Sequence, residues 1–232
     1  MEAIILAGGL GTRLSGVVSD VPKCMAPVNG EPFLAYVLNY LEEQGCDAVI
    51  LALGYKYEVV KDWLNDKGFL FKIHTVIEKE PLGTGGAIRL ALNKSHEENV
   101  FVLNGDTLFD VDLKAMQQTY STVDTKAIIA LKPLHKFERY GAVQINENSD
   151  ITAFEEKTFK EEGLINGGIY YINKKAVALE NFPDKFSFEK DFLEKNASQK
   201  SLKGFVSEGY FIDIGIPEDY KRAQNELSLP EL

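Results

Sequence analysis

Cysteine is scarce in this 232-residue chain, represented by Cys24 and Cys46 alone. The two show no Cys-x-x-Cys spacing and have no neighbouring histidine, which argues against a disulfide framework or a structural zinc site. Two reduced thiols in a reducing compartment are expected. Histidine is nearly as rare: His74, His96 and His135 lack carboxylate or metal-ligand spacing and read as structural or exposed. With no Gly-x-Ser-x-Gly elbow and no Cys–His pair, covalent catalysis has no obvious nucleophile. No stretch approaches the ~18 apolar residues of a membrane helix, and the N-terminus lacks a basic leader region, so a cytoplasmic protein with no membrane partner is expected. Runs of Lys or Arg are missing too. With 25 basic against 35 acidic residues and a net charge of −10, a nucleic-acid partner is not expected. Linkers, repeats and low-complexity tracts are also absent, and residues 1–232 are read as a single domain.

What is present is alternation. Ala3–Leu6, Ala48–Leu53, Lys72–Ile77 and Val100–Leu103 read as strands, several of them unbroken apolar runs. Between them Phe33–Gln44, Glu58–Leu64 and Gly85–Leu92 read as helices. Strand and helix in strict alternation predict an α/β doubly wound sheet covered on both faces, with ligands at the carboxyl ends of the strands. The second half reads as a mixed or antiparallel extension of that sheet, through Lys126–Lys132, Ala142–Ile145, Ile151–Glu156 and Ile165–Ile172. Short helical stretches at Lys174–Glu180 and Glu189–Asn196, strands near Gly204–Val206 and Tyr210–Ile214, and a helix from Pro217 complete the chain.

Four stretches can carry chemistry. The first strand runs into Gly8-Gly9-Leu10-Gly11-Thr12-Arg13, and Pro22-Lys23 follows after a polar gap. The third glycine of a dinucleotide-binding turn is replaced by Leu14, and the Walker spacing is absent, so both of those phosphate loops fail. A long glycine-rich loop with Arg13 and Lys23 can still wrap a polyphosphate and neutralise it; the competing reading is a structural turn with two surface cations. Glu78 and the glycines that follow it sit at the same rim, where a carboxylate can accept from the donor edge of a base. Asn104-Gly105-Asp106 ends another strand in a carboxylate, and Asp213-Ile214-Gly215 does so again late in the chain. Two such aspartates can meet at one Mg²⁺ beside a polyphosphate, which would supply the local positive charge that an acidic protein needs. The fourth stretch, Glu155-Glu156-Lys157 with Asn166-Gly167-Gly168, can read sugar hydroxyls and a second phosphate, or can be two exposed charges and a β-bulge.

Leu6-Ala7-Gly8-Gly9-Leu10-Gly11-Thr12-Arg13-Leu14 with Pro22-Lys23 resembles the signature of the sugar-1-phosphate nucleotidylyltransferases. The likeness continues through Glu80-Pro81-Leu82-Gly83-Thr84, Asn104-Gly105-Asp106, Glu156-Lys157, Asn166-Gly167-Gly168 and Asp213-Ile214-Gly215 to Tyr220, in the family's order over essentially the whole chain. Pro22-Lys23-x-Met25-Ala26-Pro27-Val28-x-Gly30 and Pro32-Phe33-Leu34 make the heptose 1-phosphate guanylyltransferases the nearest branch, with the mannose 1-phosphate guanylyltransferases as the alternative. The resemblance implies a Rossmann-like nucleotidyltransferase fold, with a nucleotide-binding half (residues 1–110) and a sugar-phosphate-binding half (residues 111–232). It implies GTP, or another nucleoside triphosphate, and a sugar 1-phosphate as substrates, with Mg²⁺ as cofactor. Arg13 and Lys23 would be catalytic, and Asp106 and Asp213 would hold the metal. Leu6, Ala7, Gly8, Gly9, Gly11, Thr12, Glu78 and Gly83 would bind the nucleotide; Gly141, Glu156, Lys157 and Asn166 would bind the sugar phosphate. Cys24, Thr158 and Ile216 depart from the residues common in relatives, and none removes a charge. The appended β-helix or acyltransferase domains of some relatives are not expected, and exposed sheet edges leave room for a homodimer. A non-catalytic nucleotide-binding module is the remote alternative.

Overall fold

The computed structural model describes residues 1–9 and 21–229. In chain order the strands are β1 (Glu2–Ala7), β2 (Pro27–Val28), β3 (Glu31–Pro32), β4 (Ala48–Leu53), β5 (Lys72–Ile77), β6 (Asn99–Asn104), β7 (Thr107–Phe109), β8 (Ala127–Phe137), β9 (Gly141–Ile145), β10 (Ile151–Lys157), β11 (Lys160–Asn173), β12 (Leu202–Val206) and β13 (Phe211–Asp213). The helices are α1 (Phe33–Glu43), α2 (Tyr57–Asn65), α3 (Gly83–Leu92), α4 (Leu113–Ser121), α5 (Lys174–Val177), α6 (Glu194–Ala197) and α7 (Pro217–Glu226). β4 and β5 keep the limits read from the sequence, while β8 and β11 run longer because each continues past the sheet's centre as one antiparallel ribbon.

One mixed sheet passes through both halves. β6, β1, β4 and β5 lie side by side and parallel, as expected for strands linked by crossover helices. β1 leads to β4 on one side, whereas β5 returns through α3 to β6 on the other. That reversal opens a crevice at the carboxyl ends of β1 and β6, where such sheets bind ligands. The Gly105 N–H donates to the Leu6 carbonyl at 2.9 Å and fixes the two strand exits together. β11 then adds antiparallel to β6, and β8, β9, β10 and β12 extend the sheet from it.

Alternation along β1 divides its side chains between two cores. Ala3 and Ile5 pack with α1 and Met116 of α4, while Ile4 packs with Ala87 and Ile88 of α3 and with Phe188 and Phe192. Both faces are therefore buried, which explains the unbroken apolar runs. α4 is not anticipated by the sequence reading; Asp112 caps it by accepting from the Ala115 N–H at 2.9 Å. The helix expected over Lys174–Glu180 stops at Val177, because Ala178 turns left-handed (φ 46°) and a 3₁₀ turn follows. The stretch expected as a helix over Glu189–Asn196 starts as a π-helical turn, Phe188–Leu193, before α6.

Glu2 illustrates how polar groups are satisfied at the far end of the sheet. Its buried carboxylate accepts from Ser95 Oγ at 2.6 Å and from the N–H groups of His96 and Glu97 at 3.0 and 3.3 Å. Burial pushes its pKa up, but these donors outweigh burial and leave it below the ordinary 4.5. A carboxyl depressed on folding contributes stability that is complete above its unfolded pKa and is lost as pH falls through the folded value. Urea midpoints of the wild type and Glu2→Gln should therefore differ most near pH 7 and converge as the pH drops below about 4. Parallel midpoint curves across that range would contradict the assignment.

Candidate active site

The site begins where β1 ends. A Cβ on Gly8 would collide with Glu78 Oε1, so a side chain at this strand exit would push the Glu78 carboxylate aside. Glu78 follows β5 and is tied there by its own N–H, which donates to the Leu53 carbonyl at 2.8 Å. Its carboxylate accepts from the Leu82 N–H at 3.0 Å. Burial raises the Glu78 pKa, and the Leu82 contact offsets part of that rise. Leu6, Gly8, Gly9, Glu78, Gly83, Thr84, Asn104, Asp106 and Glu189 line a cavity of about 480 Å³.

A second cavity, of about 630 Å³, adjoins it and shares Asn104 and Glu189 as walls. It is lined by Lys157 from β10, by Asn166, Gly167, Gly168 and Tyr170 from β11, by Arg139 and Tyr140, and by Asp213. The Arg139 guanidinium lies 5.4 Å from the Tyr140 ring centre and pairs with Asp219, which also takes Arg222.

Asp106 and Asp213 are separated by more than a hundred residues and are brought together by the pairing of β7 with β13. In that ladder Asp213 stands opposite Thr107, and the Ile214 N–H donates to the Asp106 carbonyl at 3.0 Å. Between the two carboxylates lies the ammonium of Lys23, paired with Asp106 and 3.7 Å from Asp213 Oδ1. Lys23 starts a 3₁₀ turn anchored by buried Cys24 and Met25, which holds the cation at the rim with only 12% of its side chain exposed. The Cys24 thiol is pushed up to about 12 by burial and by the neighbouring Asp106 charge, so it stays neutral and unreactive.

The residues singled out in the sequence therefore divide as follows. Leu6, Gly8, Gly9, Glu78, Gly83 and Asp106 line the first cavity, and Lys157, Asn166 and Asp213 line the second, with Lys23 bridging the aspartates. Ala7 is buried at the end of β1. Gly141 pairs with Lys157 between β9 and β10, and Glu156 is exposed on β10; both stand beside the second cavity rather than in its wall. Gly11, Thr12 and Arg13 fall outside the described residues. The sequence reading did not single out Asn104, Thr84, Arg139, Tyr140, Tyr170 or Glu189 as wall residues. The first two lie inside quoted motifs, and Arg139 and Tyr140 directly precede Gly141. Glu189 carries no sequence signal, because it reaches the site through long-range packing.

Two carboxylates converging on one cation position suit a hard dication completed by phosphate oxygens. Among the described residues no cluster of three or more Asp, Glu, His or Cys is gathered, so no all-protein metal cage is present there.

This chain belongs to the nucleotidyl transferase family, whose model matches residues 2–228. It is 52% identical over 227 residues to the D-glycero-alpha-D-manno-heptose 1-phosphate guanylyltransferase of Aneurinibacillus thermoaerophilus, covering 98% of each chain. To the Campylobacter jejuni protein of the same name it is 48% identical, covering 95% of this chain and 97% of that one. The crystal structure of HddC from Yersinia pseudotuberculosis superposes with a TM-score of 0.87 at 42% identity, covering 97% and 98% of the two chains. That protein has also been solved complexed with GMP-PN. Among the described residues no helix is long and apolar enough to cross a membrane.

The carboxylate–ammonium arrangement has little slack. A Cβ on Gly215 would stand 2.7 Å from Asp213 Oδ1 and 2.8 Å from Lys23 Nζ. Gly215→Ala should therefore displace both groups, lowering turnover by roughly 10- to 100-fold while the melting temperature stays near wild type. Unchanged kcat in a folded variant would show that the arrangement tolerates displacement.

Proposed function

We propose that the chain transfers GMP from GTP to a sugar 1-phosphate, with D-glycero-α-D-manno-heptose 1-phosphate as acceptor, releasing pyrophosphate. The observation that carries this reading is the convergence of Lys23, Asp106 and Asp213 at the rim between two adjoining cavities. The names of the two relatives near 50% identity supply the substrate pair. The product, a GDP-activated sugar, suits surface polysaccharide synthesis in the cytoplasm.

In the proposed reaction an oxygen of the sugar phosphate attacks the α-phosphorus of GTP in line. The bond from that phosphorus to the bridging oxygen breaks, and pyrophosphate leaves with the electron pair. The attacking oxygen is already anionic at neutral pH, so the step needs alignment and charge neutralisation rather than a general base. Among the described residues neither cavity is lined by histidine or cysteine, which agrees with a direct displacement. Lys23, with Arg13, would neutralise the triphosphate and the departing charge. Leu6, Ala7, Gly8, Gly9, Gly11, Thr12 and Gly83 would take the nucleoside and its phosphates against backbone. The Glu78 carboxylate suits guanine, whose N1–H and N2 amino group are adjacent donors. Lys157 would hold the acceptor phosphate, with Asn166, Glu156 and Gly141 near the sugar. Asp106 and Asp213 would hold Mg²⁺, which when bound neutralises phosphate charge as a Lewis acid.

The test is a grid of GTP, ATP, CTP and UTP against the 1-phosphates of heptose, mannose and glucose, read as pyrophosphate release. GTP with heptose 1-phosphate should give the highest kcat/KM. Release favouring another base would overturn the guanine assignment, release favouring mannose would overturn the heptose assignment, and no release from any pair would overturn the reading as a whole.

A further inference from the structure

Glu189 forms part of the wall of both cavities, yet it lies on neither β1, β6, β10 nor β11; it projects from the π-helical turn. Its Oε2 accepts from Thr84 Oγ1 at 2.6 Å and from Ser187 Oγ at 2.9 Å. The Thr84 hydroxyl in turn accepts from the Phe188 N–H at 2.9 Å, so its single proton is committed to Glu189. On the other side, the Tyr170 hydroxyl accepts from Asn166 Nδ2 at 3.0 Å, and its ring packs edge-on against Phe188, the neighbour of Glu189, with centroids 5.3 Å apart. Because Asn166 Nδ2 is a donor, the phenolic proton is not spent on Asn166 and is left for the nearby Glu189 carboxylate. Asn166 is itself oriented, its Oδ1 accepting from the Gly168 N–H at 2.9 Å.

Thr84 thus bonds Glu189 from one side, and the Asn166–Tyr170 pair stands against the same turn on the other, so that a chain of contacts runs from one cavity to the other. Asn166 lines the second cavity alone, and Thr84 lines the first alone. Tyr170 is fully buried, and burial together with the Glu189 charge holds it protonated. A carboxylate fixed by Thr84 and standing beside the Tyr170–Asn166 pair sets the distance between the groups each cavity holds. In-line attack depends on that distance, since a misplacement of about 1 Å can cost about 100-fold in rate.

We propose that Glu189 is a positioning residue that registers the nucleotide cavity against the sugar-phosphate cavity through Thr84 on one side and Tyr170–Asn166 on the other. This rests on the two-substrate reading above. A merely structural role, pinning the turn against α3, would lower thermal stability and leave the chemical step alone.

The experiment is a double-mutant cycle on the full chain, using whichever triphosphate and sugar 1-phosphate pair gives the fastest pyrophosphate release. Glu189→Gln keeps the shape but presents an NH₂ where a carboxylate oxygen stood; Tyr170→Phe removes the phenol beside it without touching the carboxylate. Each should lower kcat by roughly 10- to 100-fold while both KM values move less than about threefold. The double variant should be no slower than the slower single, because both cut the same chain. Multiplying effects of Glu189→Gln and Tyr170→Phe, or a fall in melting temperature at unchanged kcat, would overturn the proposal. A wild-type chain that releases no pyrophosphate from any pair would overturn the underlying reading and this inference with it.

Discussion

A lysine ammonium held between two aspartates is the constraint around which the rest of the structure is arranged. Lys23 can sit beside Asp106 and Asp213 only if three distant parts of the chain meet. Each part is anchored by burial: Cys24 and Met25 behind Lys23, the continuous core under β6 behind Asp106, and Ile212 and Ile214 flanking Asp213. The anchoring matters because two carboxylates brought together without a cation would repel each other and raise their own pKa values. The doubly wound half supplies the crevice and the antiparallel half supplies the second aspartate. The small β7–β13 ladder is the fastening between them.

The same economy appears in the electrostatics. The chain carries ten more negative than positive charges, yet Lys157 and Arg139 line the second cavity and Lys23 stands between aspartates from the walls of both. Arg139 and Lys23 are both committed to aspartates, so the free protein balances its own site before any anion arrives. Polyphosphate would then exchange one set of partners for another rather than meet bare charge, an exchange that limits desolvation. Neutral Cys24 beside Asp106 adds packing without adding a reactive group.

Much of this was legible in the residues. Apolar runs such as Ala48–Leu53 mark strands buried on both faces, and the glycines after β1 and β5 mark strand exits at a common rim. The Asp106–Asp213 meeting could be suspected from two carboxylates each ending a strand, but the pairing that achieves it spans more than a hundred residues and leaves no local trace. α4 escaped because only Leu113 and Met116 are buried on it, too few for a periodic signal, although Asp112 is a good cap. Glu189 escaped for a similar reason: its position follows from Phe188 and Phe192 stacking 5.0 Å apart under the sheet. The π turn that allows this is set by tertiary packing and not by the spacing of the residues.

The claim at the centre of this account is that one point, between Asp106 and Asp213, is built to hold a cation and that Lys23 occupies it in the free protein. Binding of Mn²⁺, followed by its paramagnetic resonance signal in the absence of nucleotide, tests that point directly. Removing the competing ammonium with Lys23→Met should strengthen Mn²⁺ binding relative to wild type, and Asp213→Asn should weaken it. Equal binding by all three chains would contradict the account.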